Sequence, residues 1–129
     1  IRAALDPMLR QKSGSIVCVG SDAGKVGERM QTMYGASKGA IMAFAKALAK
    51  EHGTDGIRIN VVSSGLNKTG AMSKTDWLAQ REQSLVKAYP IGRLGVPQDM
   101  VNVIVFLASD LAGYVTGQTL SVSGGYTMQ

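Results

Sequence analysis

The stretch YGASKGAIMAFAKALA, residues 34–49, reads as an α-helix that begins with a reactive pair of side chains. Residues four apart share one face of a helix, so the Lys38 ammonium reaches beneath the Tyr34 ring. Free tyrosine titrates at about 10, too high for a base at neutral pH, and a fixed positive charge is one of the few ways to favour its phenolate. Upstream, Ser21 ends the apolar run SIVCVG and offers a hydroxyl to a substrate oxygen. A phenol, an ammonium and a hydroxyl that can meet one carbonyl point to redox chemistry on an alcohol or a ketone.

Working outward, the pattern alternates between buried strands and helices. Residues 2–12 read as a helix end, and Ser13-Gly14 breaks it. Residues 15–20 form a continuously apolar strand of the kind buried on both faces. A polar, glycine-containing loop covers 21–33, and the long helix runs over 34–52. That helix is apolar on more than one face and must be covered twice, by the sheet and by a partner. Gly53 stops it, with His52 favourably placed for the helix dipole. After Gly56, IRINVV (57–62) is the next buried strand, followed by a loop over 63–72 and a polar helix around Trp77 over 73–88. Pro97 suits the first turn of a helix over 97–108, and TLSVS (119–123) is the last strand. This order predicts a parallel α/β architecture.

The 129 residues fit one domain, and 45% hydrophobic with 18% charged residues is ordinary for a globular protein. The longest apolar stretches, AIMAFAKALA and MVNVIVFLA, fall short of the ~20 residues that cross a bilayer. The net charge of +5 is spread from Arg2 to Arg93, without a basic run or an aromatic stacking pattern, which argues against nucleic acid. Cys18, a lone mid-strand cysteine, excludes an internal disulfide and fits a reducing cytoplasm as a small buried hydrophobe. No ligand spacing suggests a metal site.

Five ordered segments carry a family resemblance: GSIVCVGSDAG (14–24), YGASKGA (34–40), GIRINVVSSG (56–65), GRLGVPQDM (92–100) and VIVFLASDLAGYVTGQTLSVSGG (103–125). Together they resemble the C-terminal half of a short-chain dehydrogenase/reductase of the 3-oxoacyl-reductase-like kind. The resemblance implies a Rossmann-like, doubly wound parallel sheet whose N-terminal βαβαβ half is missing. Residues 1–129 would then be the C-terminal portion of a single domain. In such folds the glycine-rich turn that holds the pyrophosphate follows the first strand. Neither that turn nor the family's Asn-Asn-Ala-Gly segment precedes Ser21, so a fragment or partial gene product is expected.

By the same resemblance, Ser21, Tyr34 and Lys38 are the catalytic residues of an NAD(P)-dependent oxidoreductase acting on a secondary alcohol or ketone, a 3-oxoacyl thioester included. Tyr34 exchanges the proton, Lys38 also binds the nicotinamide ribose, and Ser21 polarises the substrate oxygen. The cofactor is NAD or NADP, with Tyr34, Lys38, Gly65, Leu66 and Thr69 as binding residues. SSGLNKT (63–69) resembles the family's Pro-Gly-x-x-x-Thr, with Ser64 in place of the proline. Ser123 stands where the family usually has an aspartate. Residues 63–88 resemble the substrate lid. Lys25, Arg29, Lys68 and Lys74 either flank the mouth and favour an anionic thioester or are solvated surface charges. A homo-oligomer, dimer or tetramer, is expected through helix 34–52 and the 97–122 region, and the isolated chain is expected to need such cover. Two other readings keep the same sequence: a catalytically inactive remnant that only associates, and an epimerase or dehydratase that oxidises transiently.

Overall fold

The computed structural model describes residues 1–70 and 72–129; Ala71, inside the loop predicted over 63–72 and the lid predicted over 63–88, lies outside the described residues. Three parallel strands, β1 (Gly14–Ser21), β2 (Ile57–Ser64) and β3 (Thr119–Val122), form a sheet in the order β1-β2-β3. Gly14 pairs with Ile57 and the register runs without a slip to Ser21 opposite Ser64, while Val61 through Ser64 pair with Thr119 through Val122. The C-terminal ends of the three strands therefore finish level, side by side.

Strand β2 lies at the centre, and its alternation divides the core. Ile57, Ile59 and Val61 are buried against Met42, Ala45 and Leu48, with Leu5, Met8 and Leu9 packed around them. Those partners belong to α1 (Arg2–Gln11) and α3 (Thr32–His52), which cover one face of the sheet. On the other face Val62 packs with Met100, Leu107 and Ala112 from α5 (Pro97–Ala108) and the turn after it. Burial of each such aliphatic side chain stabilises the fold by about 1.5–3 kcal/mol. On that second face Arg58 donates to the Leu107 and Ser109 carbonyls at 2.8 and 3.0 Å, satisfying the open end of α5. The fully buried Asn60 donates to the Val115 carbonyl and accepts from the Gln118 amide, fixing the entry to β3.

Helix α3 buries Met42, Ala45, Leu48 and Ala49 on the sheet and turns Phe44 outward with the exposed Ala40, Ala43 and Ala47. It begins two residues before the predicted start. The predicted loop 21–33 contains a short helix, α2 (Ala23–Val26), because the Lys25 and Val26 amides bond back to the Asp22 carbonyl. Gly24 permits this: a Cβ there would stand 2.7 Å from the Gly39 nitrogen, so α2 lies directly on α3. The predicted helix 73–88 is divided into a 3₁₀ turn (Met72–Lys74) and α4 (Asp76–Val86). The Thr75 hydroxyl caps α4 by accepting from the Leu78 amide, which is why the helix restarts there. Strand β2 extends two residues further than predicted, carrying Ser63 and Ser64 into the sheet. No described helix is long and apolar enough to cross a membrane.

Candidate functional site

The level strand ends bring Ser21 and Ser64 opposite each other, and the chain leaving each of them builds a cleft. The Asp22 amide donates to the Ser64 carbonyl at 2.9 Å, which locks the two exits together. Ser21, Tyr34, Gly65 and Leu66 line this cleft of about 410 Å³, together with Trp77 of α4, Tyr89 and Tyr126. The Ser21 hydroxyl accepts from the Ala23 amide at 3.3 Å, which holds its oxygen and leaves its own O–H to donate. Tyr34, in the first turn of α3, is about half exposed.

Lys38 stands behind Tyr34, one turn further along α3. Its Nζ is 5.7 Å from the Tyr34 ring centroid and donates to the Val19 carbonyl at 3.2 Å. An ammonium has three donors, and this bond uses one of them. Helical spacing thus places Lys38 as the sequence predicted, with the strand carbonyl as an additional anchor. Of the remaining expected residues, Gly65 is sterically required. A Cβ on it would meet Ser123 Cβ at 2.9 Å and Tyr89 Cε1 at 3.1 Å, so the buried Ser123 and the Tyr89 ring fill the space above it. The Leu66 amide donates to the Tyr89 hydroxyl at 2.9 Å, and its carbonyl accepts from Gly95. Thr69 does not line the cleft; its hydroxyl accepts from the Met72 amide and its carbonyl from Ser73, opening the turn before α4.

Asp22, Glu28, Tyr89 and Tyr126 line the cleft and were not singled out in the sequence. Asp22 is 1% exposed, and one of its carboxylate oxygens accepts from both Ser63 at 2.6 Å and Ser121 at 3.0 Å. Its other oxygen has no partner among the described residues. The available signal was an acidic residue directly after a buried strand, which requires hydroxyl or amide partners to be stable there. Tyr89 stacks on Tyr126 at 5.2 Å between centroids and 20° between planes. Burial pushes the Tyr89 phenol above its ordinary value, with the Leu66 amide acting in the opposite direction and the Glu28 and Asp22 carboxylates adding to the rise. Tyr126 donates to Glu28 through its hydroxyl. Nothing in local periodicity pairs residue 28 with residue 126, so this contact was not legible.

The four cations weighed for the mouth take other places. Lys25 donates to the Thr119 carbonyl, the Ser121 hydroxyl and the Gln129 carbonyl at 2.9–3.1 Å. Lys68 pairs with Glu82 at 2.7 Å. Arg29 and Lys74 are exposed and neither lines the cleft. The charged side chains that do line it are Asp22 and Glu28. Away from the cleft, His52 and Lys12 both meet Asp55, at 3.2 and 2.5 Å, and hold its carboxyl below the ordinary value, Lys12 first. No group of three or more His, Cys, Asp or Glu among the described residues could hold a metal ion.

A parallel sheet covered on both faces, with a cleft at its carboxyl ends, defines a Rossmann-like α/β protein. The chain belongs to the short-chain dehydrogenase/reductase family. A family model described as enoyl-(acyl carrier protein) reductase matches residues 1–127. The 3-oxoacyl-(acyl-carrier-protein) reductase FabG of Chlamydia pneumoniae is 42% identical over 126 residues, covering 93% of this chain and 48% of that protein. The oxidoreductase YmfI of Bacillus subtilis is 41% identical over 125 residues, covering 97% of this chain and 51% of its own length. Among solved structures, ElxO with NADP bound superposes with a TM-score of 0.92 at 33% identity, over 97% of this chain and 51% of that one. A short-chain dehydrogenase/reductase from Burkholderia thailandensis superposes with a TM-score of 0.86 at 37% identity, over 95% and 47%. The chain spans about half the length of the relatives it matches.

Proposed function

We propose that this chain carries the acid–base end of an NAD(P)-dependent oxidoreductase that interconverts a secondary alcohol and a ketone. The observation that carries the reading is the convergence of Ser21 and Tyr34 on one cleft, with the Lys38 ammonium behind the phenol. The residues fit the nicotinamide end of a dinucleotide. Lys38 has donors beyond the one given to Val19, and the cleft opens at the carboxyl ends of a parallel sheet, where such folds bind dinucleotides. When bound, the nicotinamide supplies or accepts the hydride. In the reducing direction Ser21 donates a hydrogen bond to the carbonyl oxygen and orients it. The Tyr34 O–H bond breaks as its proton passes to that oxygen, and the negative charge left on the phenol is stabilised by Lys38. In the oxidising direction the same proton returns to Tyr34.

On this reading residues 1–129 form the C-terminal portion of one Rossmann domain, and the segment 63–88 is its substrate lid, with Trp77 facing the cleft. A 3-oxoacyl thioester is one ketone such a site can reduce. The outward face of α3 and the exposed Val101, Val105 and Phe106 of α5 support assembly with further copies, in a cytoplasmic setting. Loss of the phenolic proton is the decisive test. Tyr34→Phe should reduce hydride transfer, followed by nicotinamide absorbance, by about 10²–10⁴-fold. A loss smaller than tenfold would remove Tyr34 from the proposed role.

A second reading is a family member without turnover that serves only in association, through the exposed Val101, Val105 and Phe106 of α5. A folded, oligomeric protein that neither binds nor turns over NADH or NADPH would establish it.

A further inference from the structure

Lys12 and Met30 are the described non-glycine residues with left-handed backbones, at φ 52° and 64°. Lys12 closes α1, its amide bonded back to the Leu9 carbonyl, which is a common use of that conformation. Met30 closes no helix. It is the third residue of a turn in which the Gln31 amide donates to the Glu28 carbonyl at 3.0 Å, a position that glycine takes without strain. The Met30 side chain is 94% exposed, and Met33, in the first turn of α3, is 83% exposed. Both adjoin the cleft. With Gln31, Thr32 and Tyr34 they line an open depression of about 540 Å³. Gln31 and Tyr34 also line the cleft that holds Ser21, so the depression and the cleft meet along that edge.

We infer that Met30 and Met33 form a subsite for an unbranched alkyl tail of the substrate, which runs from the reacting carbon at Ser21 and Tyr34 over the Gln31–Tyr34 edge. This rests on the oxidoreductase reading for the reacting end of the ligand. None of the residues lining the depression is charged, so it offers a tail dispersion contacts and removal from water, and nothing to hold an ionised group. Methionine is unbranched and polarizable, and its side chain adapts to tails of different length. A second copy of the chain is the competing occupant, because Met33 lies on the same face of α3 as Phe44, eleven residues on. Met30 stands before the helix, so substitution there separates the two occupants.

The chain has one tryptophan and it lines the cleft, so Trp77 emission reports occupancy without cofactor or turnover. The probes are 2-butanone, 2-hexanone and 2-octanone, methyl ketones that differ only in tail length. Affinity for the unaltered protein is expected to rise about two- to fourfold per added methylene. Met30→Gly with Met33→Gln is expected to flatten that rise. Met30→Gly alone is expected to lessen it while the melting midpoint holds or increases, since the turn loses its strained residue. A series without any rise, a rise that the double variant retains, or a Met30→Gly variant that loses self-association and keeps the rise would each overturn the inference. Hydride transfer with NADH or NADPH is followed separately. The rise without any hydride transfer defeats the oxidoreductase reading and leaves the tail subsite standing, and hydride transfer with a flat series does the reverse.

Discussion

The Asp22 carboxylate accepts a 2.6 Å hydrogen bond from the Ser63 hydroxyl in the protein interior, tying the exit of β1 to the end of β2. The same oxygen accepts from Ser121 of β3, so one carboxylate joins all three strands at the edge of the cleft. Asp22→Ala would leave two hydroxyls without their acceptor and cost about 2–3 kcal/mol. A thermal melt should show the midpoint lowered by roughly 10 °C, with Asp22→Asn, which keeps an acceptor, falling in between. An unchanged midpoint for the alanine variant would reject the clamp.

Lys38 has two contacts to lose, the Val19 carbonyl and the face of Tyr34. On the proposed oxidoreductase reading, in which the remaining Lys38 donors hold the nucleotide, Lys38→Met should weaken nicotinamide nucleotide binding as well as slow turnover, whereas Tyr34→Phe should lower kcat by about 10²-fold or more with little change in nucleotide affinity. Steady-state kinetics on both variants separates the roles, and identical changes in KM and kcat would contradict the division of labour.

The approach of α2 to α3 leaves no room for a methyl group at Gly24, where a Cβ would stand 2.7 Å from both the Gly39 nitrogen and the Lys38 carbonyl carbon. Gly24→Ala should destabilise by about 1–3 kcal/mol in chemical denaturation. Because the clash falls on the Lys38 backbone, it should also lower turnover; a variant that keeps full stability would show that the two helices slide apart freely.

Arg93 grips Asp99 with two hydrogen bonds of 2.7 and 2.8 Å, and Asp99 also accepts from the Val96 amide at the start of α5. The Arg93 guanidinium, with the Val96 amide, lowers the Asp99 carboxyl from 3.8 to about 2. A depressed carboxyl contributes stability that is full above its unfolded value and lost as pH falls through the folded one. The contribution of this pair should therefore disappear between about pH 4 and pH 2. Asp99→Asn should flatten that part of the stability profile measured by acid titration of the melting midpoint, and an unaltered profile would assign the acid sensitivity elsewhere.

The sequence reading and the structure agree where the determinants are periodic. The continuously apolar run at 15–20, the buried strand IRINVV at 57–62, and the four-residue spacing of Tyr34 and Lys38 are local signals that packing reinforced. Boundaries moved where a tertiary contact or a cap decided: Gly24 against Gly39 set α2 on α3, and the Thr75 cap divided the helix predicted over 73–88. The tyrosines that line the cleft escaped notice because they are placed by contacts between residues distant in sequence. Tyr89 reaches the Leu66 amide, and Tyr126 reaches Glu28. Charge was the least legible property, since Lys25 is absorbed by β3 carbonyl and hydroxyl oxygens that no spacing rule connects to residue 25.

The sheet order also bears on how the chain emerges from a ribosome. Strand β2 pairs with β1 as soon as it is made, but its other edge waits for residues 119–122, and Asn60 waits for Val115 and Gln118. Through that interval the most deeply buried strand of the fold presents a row of open amides and carbonyls to any neighbouring nascent chain. Synthesis of α4, α5 and β3 is thus a period of exposure to aggregation, and its length is set by the translation rate of those segments.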